Sequence, residues 1–323
     1  MLSKRNLVTY SVALLIILTL NFFLPRLMPG DPLMAIYGDE ALVQMTPQLE
    51  AELTERFALD RSLGEQFVSY WGALFRGDMG YSYSYNAPVA GVIFGRLPWT
   101  LLLAGLALFF ATIFGILLGI ESGWRRGGRF DRGVLSGMMA LSGFPDFFLG
   151  ILLLLLFAVN LKVLPLFGAE DVYSGLTGFA RVADIIRHLI LPLTALILAR
   201  ITAGYLLTRN TMVGVLKEPY ILLARAKGLK PGTVKYRHAG RNSMLPVMTQ
   251  TGIWMGMLVT GVLFIEVVFA YPGIGFLTYD ALSFRDYPVL QGVLLVTAIC
   301  VLGANFIVDM LYAKADPRVS HAH

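Results

Sequence analysis

The chain has 323 residues, 56% apolar and 15% charged, with a formal net charge of +5 and one cysteine. A charged share well under the roughly 25% of soluble domains, with a mean hydropathy of +0.68, excludes an ordinary water-soluble fold and points to a membrane protein. The lone Cys300 excludes an internal disulfide, and the positive charge, concentrated outside the apolar runs, forms no recognisable nucleic-acid-binding module.

Apolar runs close to the ~20 residues that cross a bilayer predict six spanning helices, over 7–25, 98–120, 134–160, 188–208, 244–268 and 288–311. The first has the charged start and apolar centre of a signal peptide. Phe22-Phe23-Leu24-Pro25-Arg26 offers no small-x-small cleavage site, so an uncleaved span is expected. Segment 27–96 is long enough for a small extracytoplasmic cap. Thr46-Pro47 provides an N-cap and a first-turn proline, and Leu49, Leu53 and Phe57 then recur every four residues. Phe67, Tyr70, Trp71 and Leu74 make a second helical stripe. Two amphipathic helices lying on the outer face are expected.

Basic residues set the direction. Lys4 and Arg5 precede the first run, and Arg125, Arg126, Arg129 and Arg132 follow the second. Eight Lys/Arg fall from Arg209 to Arg241 against the single acid Glu218, and Lys314 and Arg318 follow the sixth run. With six spans all of these share one face, which the positive-inside rule makes cytoplasmic, with both termini inside. The organisation expected is a first transmembrane helix over 1–26, the cap over 27–96, a five-helix core over 97–314 that includes a cytoplasmic loop at 209–243, and a cytoplasmic tail over 315–323.

Catalytic signatures are missing. The sequence has no G-x-x-x-x-G-K-[S/T] loop, no H-E-x-x-H, no C-x-x-C and no G-x-S-x-G. His188 and His238 fall on opposite faces of the expected topology, and His321 and His323 end a polar tail. No catalytic residue, metal site or cofactor is expected in this chain, which reads as a non-enzyme.

Asp146, Arg200 and Glu266 are charges that stand out within the apolar runs. Asp146 is about 12 residues into the third, roughly 18 Å along at the helical rise, where an ionised carboxylate costs about 2.5–3.5 kcal/mol. Pro145 beside it weakens the hydrogen-bond ladder, so Asp146 either lines a pathway or partners freed donors or a cation. Arg200, at similar depth in the fourth run, is its candidate partner or snorkels to the inner surface. Glu266, toward the outer end of the fifth, is expected to touch outer loops. Gly115, Gly119 and Gly123, like Gly252 and Gly256, recur every four residues, a spacing that lets helices approach closely.

The basic insert is helix-prone over 211–229, with Leu216, Tyr220, Leu223 and Lys227 on one stripe and Val215, Leu222 and Ala226 flanking it. Gly228 and Pro231-Gly232 end it, and Thr233 to Asn242 form a second element, which makes a helix-turn-helix elbow. Contact with anionic lipid, at about 1 kcal/mol per basic residue, accounts for the charge. It does not account for the small residues Ala224, Ala226 and Gly228, which suit close docking of a soluble partner.

Six segments, taken in order, resemble one family along nearly the whole chain. They are Arg26-Leu27-Met28-Pro29-Gly30-Asp31-Pro32; Leu59-Asp60 with Arg76-Gly77-Asp78-Met79-Gly80-Tyr81-Ser82; Pro145-Asp146-Phe147; Tyr220 with Ala224-Arg225-Ala226-Lys227-Gly228-Leu229, His238, Arg241-Asn242 and Leu245-Pro246; Glu266-Val267-Val268-Phe269 with Pro272-Gly273-Ile274-Gly275; and Asp316-Pro317-Arg318-Val319. The chain is similar to an inner-membrane permease subunit of a binding-protein-dependent ABC importer, of the dipeptide, oligopeptide and nickel class. One departure is that the wider superfamily's Glu-Ala-Ala is here Leu222-Leu223-Ala224.

The resemblance implies an all-α polytopic protein with six transmembrane helices, the type I permease fold, and a small extracytoplasmic cap. It implies a second homologous permease subunit, two cytoplasmic ATPase subunits that hold ATP and Mg2+, and an extracytoplasmic substrate-binding protein. The ATPase-coupling residues would be Tyr220, Ala224, Arg225, Ala226, Lys227, Gly228 and Leu229, with Asp146 and Arg200 as pathway candidates and Glu266 at the outer interface. Peptide is the expected cargo, since the spans carry no His/Cys cluster; nickel chelates, glutathione and oligosaccharides are the alternatives. A self-sufficient secondary transporter or channel is the remoter reading, against which stands the lack of a sequence repeat or paired broken helices. The expected location is the inner membrane, with no nucleic-acid partner.

Overall fold

Long apolar helices dominate the computed structural model, which describes residues 4–23, 48, 61–82, 84–256 and 262–315. The motif at 26–32, the expected cap helix from Thr46, Leu59-Asp60, residues 257–261 and the tail from 316 lie outside the described residues. The chain divides into two compact units, 1–99 with 272–303 and 100–271 with 304–323.

In the first unit, α1 (Lys4–Phe23) covers the first expected run. The second cap stripe forms α2 (Leu63–Phe75). It begins with a capping box in which Ser62 Oγ accepts from the Glu65 amide and Glu65 Oε2 accepts from the Ser62 amide at 3.0 Å, so two orphan donors are met reciprocally. The stripe docks as its spacing predicts: Phe67 and Tyr70 meet the fully buried Phe22 ring with centroids 5.1 and 5.6 Å apart.

The Arg76–Ser82 motif turns the chain through Gly77 and Gly80, with the Gly80 amide donating to Asp78 Oδ1 at 2.8 Å. It leads into a small hairpin of β1 (Tyr81–Ser82) and β2 (Ala87–Pro88), antiparallel with Tyr81 opposite Pro88. Asp286 holds this hairpin. Its Oδ2 accepts from Ser82 Oγ at 2.6 Å and from the Ser84 amide at 3.0 Å. Tyr85 donates to Asp280 Oδ2 at 3.1 Å, and burial followed by the Asp280 charge pushes its phenol up to about 12.

Two helices outrun their expected spans. α3 (Val89–Trp124) has 36 residues and α6 (Gly178–Val215) has 38. At 1.5 Å per residue each exceeds 50 Å, against a hydrocarbon core of about 30 Å, so the apolar runs mark only their middles. In the second unit the glycine stripe of α3 is a contact surface: a Cβ at Gly119 would lie 2.5 Å from Thr208 Cβ, and one at Gly123 would lie 2.7 Å from Met212 Cβ. Only glycine admits α6 this close.

The third run departs from expectation. It is not one straight helix but α4 (Arg129–Ser142) and α5 (Asp146–Leu153), the latter continued by a π-helical turn to Asn160, with a 100° bend between them. Pro145 stands as the extended N-cap of α5. Without an N–H it cannot carry the ladder onward, and the Gly143 and Phe144 amides turn back to Ala140 O and Leu141 O at 3.2 and 3.1 Å.

Beyond α6 come α7 (Pro219–Ala226), a π-helical segment (Thr233–Gly240), a helical turn (Arg241–Ser243), α8 (Leu245–Gly256) and α9 (Leu263–Val268). They are followed by α10 (Ile274–Ser283) and α11 (Tyr287–Ala315). Among the described residues α3, α6 and Tyr287–Phe306 are long and apolar enough to cross a membrane by themselves, and α4 with α5 pass as a fourth, bent span.

Candidate functional site

The basic insert folds as an elbow. α7 starts with Pro219 at its first position, where the missing N–H costs nothing. It ends in a Schellman closure: the Gly228 amide donates to Arg225 O at 2.9 Å and the Leu229 amide to Ala224 O at 3.3 Å. Gly228 has φ +69°, the left-handed conformation that side chains disfavour. The returning arm over Thr233–Gly240 is clasped to the first, with Asn242 Nδ2 donating to Tyr220 Oη at 2.7 Å.

The elbow's inner face is Ile221, Ala224, Val234 and Ala239, buried against Ile116 and Ile120 of α3, Met212 of α6 and Val247 of α8. The expected stripe of Leu216, Tyr220, Leu223 and Lys227 is not this inner face: Tyr220, Leu223 and Lys227 are exposed. α7 carries four consecutive bulky apolar residues, Tyr220 to Leu223, so no single stripe stands out, and Ile221 and Ala224 turn inward. Ala224, expected among the small docking residues, is 6% exposed within the chain's own core.

The other coupling candidates face outward. Tyr220 is 40% exposed and Leu229 39%, Arg225, Ala226, Lys227 and Gly228 are exposed with them, and the neighbouring Leu222 and Leu223, outside that expected set, are 59% and 56% exposed. The outer surface is thus an apolar patch in a basic frame. Sequence reasoning placed the docking contact on small residues and gave Leu222 and Leu223, on and beside the helical stripe, no docking role.

Two ionic ties anchor the elbow's base, and neither stood out in the sequence. Lys235 pairs with Glu121 Oε2, while Arg125 Nε lies 2.5 Å from Glu121 Oε1. Burial pulls the Lys235 ammonium down, but the bonds to Glu121 and Tyr236 and their charges together outweigh this and hold it above its ordinary value. Arg225 also lies 5.5 Å over the Trp124 ring, a cation–π contact.

The second tie is Asp131, 2% exposed. Arg209 forks onto it, Nε to Oδ1 at 2.6 Å and Nη2 to Oδ2 at 2.8 Å. Ser122 Oγ donates to Oδ1 and the Gly127 amide to Oδ2 at 2.8 Å. Ser122 also joins the buried Tyr205 hydroxyl at 2.7 Å. The available signal was a single acid within the run of Arg125, Arg126, Arg129 and Arg132.

The pathway candidates are placed as follows. Asp146 is half-buried at the start of α5, directly after the bend, with Oδ1 accepting from the Phe147 amide at 2.8 Å. Arg200 is half-buried in α6 within electrostatic reach of Asp146. Glu266, expected near the outer interface, is 0% exposed, and its Oε1 accepts from Thr100 Oγ1 of α3 at 2.7 Å. The chain folds back after α9, with the Tyr271 amide donating to Glu266 O at 2.8 Å, and this encloses the carboxylate, which then requires donors. Among the described residues no group of three or more His, Cys, Asp or Glu is arranged to hold a metal ion.

Comparison with known proteins places the chain in a family. The family described as binding-protein-dependent transport system inner membrane component matches residues 111–321, and the corresponding N-terminal family matches 1–104. The di/tripeptide transport system permease protein DppB of Pseudomonas aeruginosa is 38% identical, covering 94% of this chain and 93% of its own length. The dipeptide transport system permease protein DppB of Escherichia coli K12 is 35% identical over the same shares, and that of Alkalihalophilus pseudofirmus is 35% identical over 99% of both chains. The chain belongs to the family of inner-membrane components of binding-protein-dependent transport systems.

Proposed function

We propose that this chain is the transmembrane permease subunit of an ATP-driven importer of di- and oligopeptides, forming half of the translocation pathway. The observation that carries it is the elbow at 219–242, which exposes the apolar Tyr220, Leu222, Leu223 and Leu229 together with the basic Arg225, Lys227 and Lys230. Large apolar side chains exposed together on a charged helix mark a protein contact rather than a lipid-headgroup contact. The peptide assignment rests on the relatives, which are named as peptide permeases and match at 35–38% identity.

In this reading the chain crosses the inner membrane six times with both termini in the cytoplasm, and segment 27–96 forms the outer cap. A second homologous permease completes the pathway, and a substrate-binding protein delivers peptide from outside. ATP and Mg2+ are held by two cytoplasmic ATPase subunits, one of which takes this elbow. Closure of the ATPases on ATP moves the elbow and rocks the helices from inward-open to outward-open. Asp146 and Arg200 line the path at the bend, while Glu266 is a structural group held by Thr100.

The test is reconstitution of the complex in vesicles with its cognate binding protein. Peptide uptake that requires ATP on the elbow side supports the reading. Uptake driven by an ion gradient without ATP would contradict the motor assignment, and import of nickel chelates, glutathione or oligosaccharides but not peptides would contradict the cargo.

A further inference from the structure

α4 is held in place in an unusual way. Asp131 is its one fully buried residue among those described, while Val134, Leu135, Met138 and Leu141 are half-buried along the same helix. The start of the helix is fixed by a charge. A buried carboxylate is costly unless fully paired, and Asp131 takes four bonds: two from the Arg209 fork, one from Ser122 Oγ and one from the Gly127 amide. A bidentate guanidinium–carboxylate pair fixes orientation as well as distance. An apolar contact would let the two helices slide past each other, and this one does not.

The pair also sits at a junction. Arg209 lies in the last two turns of α6, whose end at Val215 leads directly into the elbow. Asp131 lies in the first turn of α4, whose far end is the 100° bend before Asp146. Farther along α4, Thr202 Oγ1 donates to Met138 O at 3.2 Å, and Val134, Leu135, Met138 and Leu141 are half-buried. The loop amide of Gly127 and the α3 hydroxyl of Ser122 converge on the same carboxylate, so the inner ends of three helices meet at Asp131.

We infer that the Asp131–Arg209 fork is the joint that carries elbow motion into the bent third span, which makes Asp131 a positioning residue for coupling ATP hydrolysis to transport. The inference rests on the elbow being the ATPase dock. When the root of α6 is displaced, α4 moves with it as a lever, and the bend at Gly143–Pro145 reorients. Without the fork, the ATPases would still close but α4 would lag.

The experiment uses the complete complex in vesicles with peptide-loaded binding protein, and reads ATP hydrolysis and peptide uptake in the same sample. Asp131→Asn removes the charge, and Arg209→Lys keeps a charge but loses the fork. Arg132→Lys, on the same helix, is the control, because its Nε bonds only the loop carbonyl of Gly127 at 3.0 Å. For both fork variants we expect hydrolysis within about twofold of wild type and uptake per ATP reduced roughly tenfold, with the control unchanged. Uptake and hydrolysis falling in proportion, or neither falling, would overturn the inference. So would loss of assembly in both fork variants, which would make the pair a structural anchor only. If the wild-type complex contains no ATPase, the functional reading itself fails, which is a separate outcome.

Discussion

Asn242 Nδ2 donates to Tyr220 Oη at 2.7 Å across 22 positions of sequence, closing the two arms of the elbow on each other. The bond is exposed, so its net worth is about 0.5–1.5 kcal/mol. Tyr220→Phe and Asn242→Ala are therefore expected to leave insertion and assembly intact and to lower ATP-dependent uptake a few-fold. Uptake assays on both variants check this, and each should account for the full loss seen in the double variant, because the two groups share one bond.

The two faces of α7 call for opposite outcomes from similar changes. Ala224 is in the buried cluster with Ile120 and Met212, so Ala224→Phe overpacks a core and is expected to cost about 1–3 kcal/mol of stability. Ala226 is exposed, so Ala226→Glu is expected to leave thermal stability unchanged and to weaken capture of the ATPase. Melting in detergent and co-purification, measured side by side, separate the two.

Gly119 and Gly105 make a matched pair on α3. A Cβ at Gly119 meets Thr208 Cβ at 2.5 Å, whereas one at Gly105 meets nothing within 4 Å. Gly119→Leu is expected to lower stability by about 1–3 kcal/mol by pushing α3 off α6, and Gly105→Ala to lower nothing. The yield of folded protein and its melting temperature would reveal the difference.

How far the sequence foretold these features depends on what each signal encodes. The hydropathy of α3 and α6 was plain, but their ends were not, because helix continues into segments that carry charge, such as Arg96, Glu121, Arg181 and Arg209. The glycine spacing at Gly115, Gly119 and Gly123 correctly marked a close contact. Pro145 marked a break, but the 100° turn depends on Gly143 and Phe144 closing the preceding helix locally. The elbow was legible as helix-turn-helix, yet which side faced inward was not, because apolar residues surround α7. Asp131 was hidden for a different reason: an acid beside four arginines reads as a solvated loop charge until its partner, 78 positions away, is seen to close on it.

Tyr85 supplies a pH test of the outer hairpin. Its phenol is pushed up to about 12, mainly by burial and then by the Asp280 charge. An acid whose folded value is raised keeps its stabilising neutral form below its ordinary value near 10, and that contribution is lost as pH rises toward 12. Ultraviolet difference titration is expected to show a late-titrating tyrosine that disappears in Tyr85→Phe. A phenol titrating near 10 would mean that the hairpin is not docked on Asp280.

The most direct test of the central claim is quantitative co-purification of partners with the tagged chain from native membranes, for wild type and for the double variant Leu222→Asp, Leu223→Asp. These two leucines are 59% and 56% exposed, so the change spares the fold while placing charge on the proposed dock. Wild type is expected to bring down an ATPase and a second permease. The variant is expected to keep the second permease and to lose the ATPase by roughly 30-fold, the scale of a docking hot spot. An ATPase absent from the wild-type sample, or retained equally by the variant, would contradict the claim.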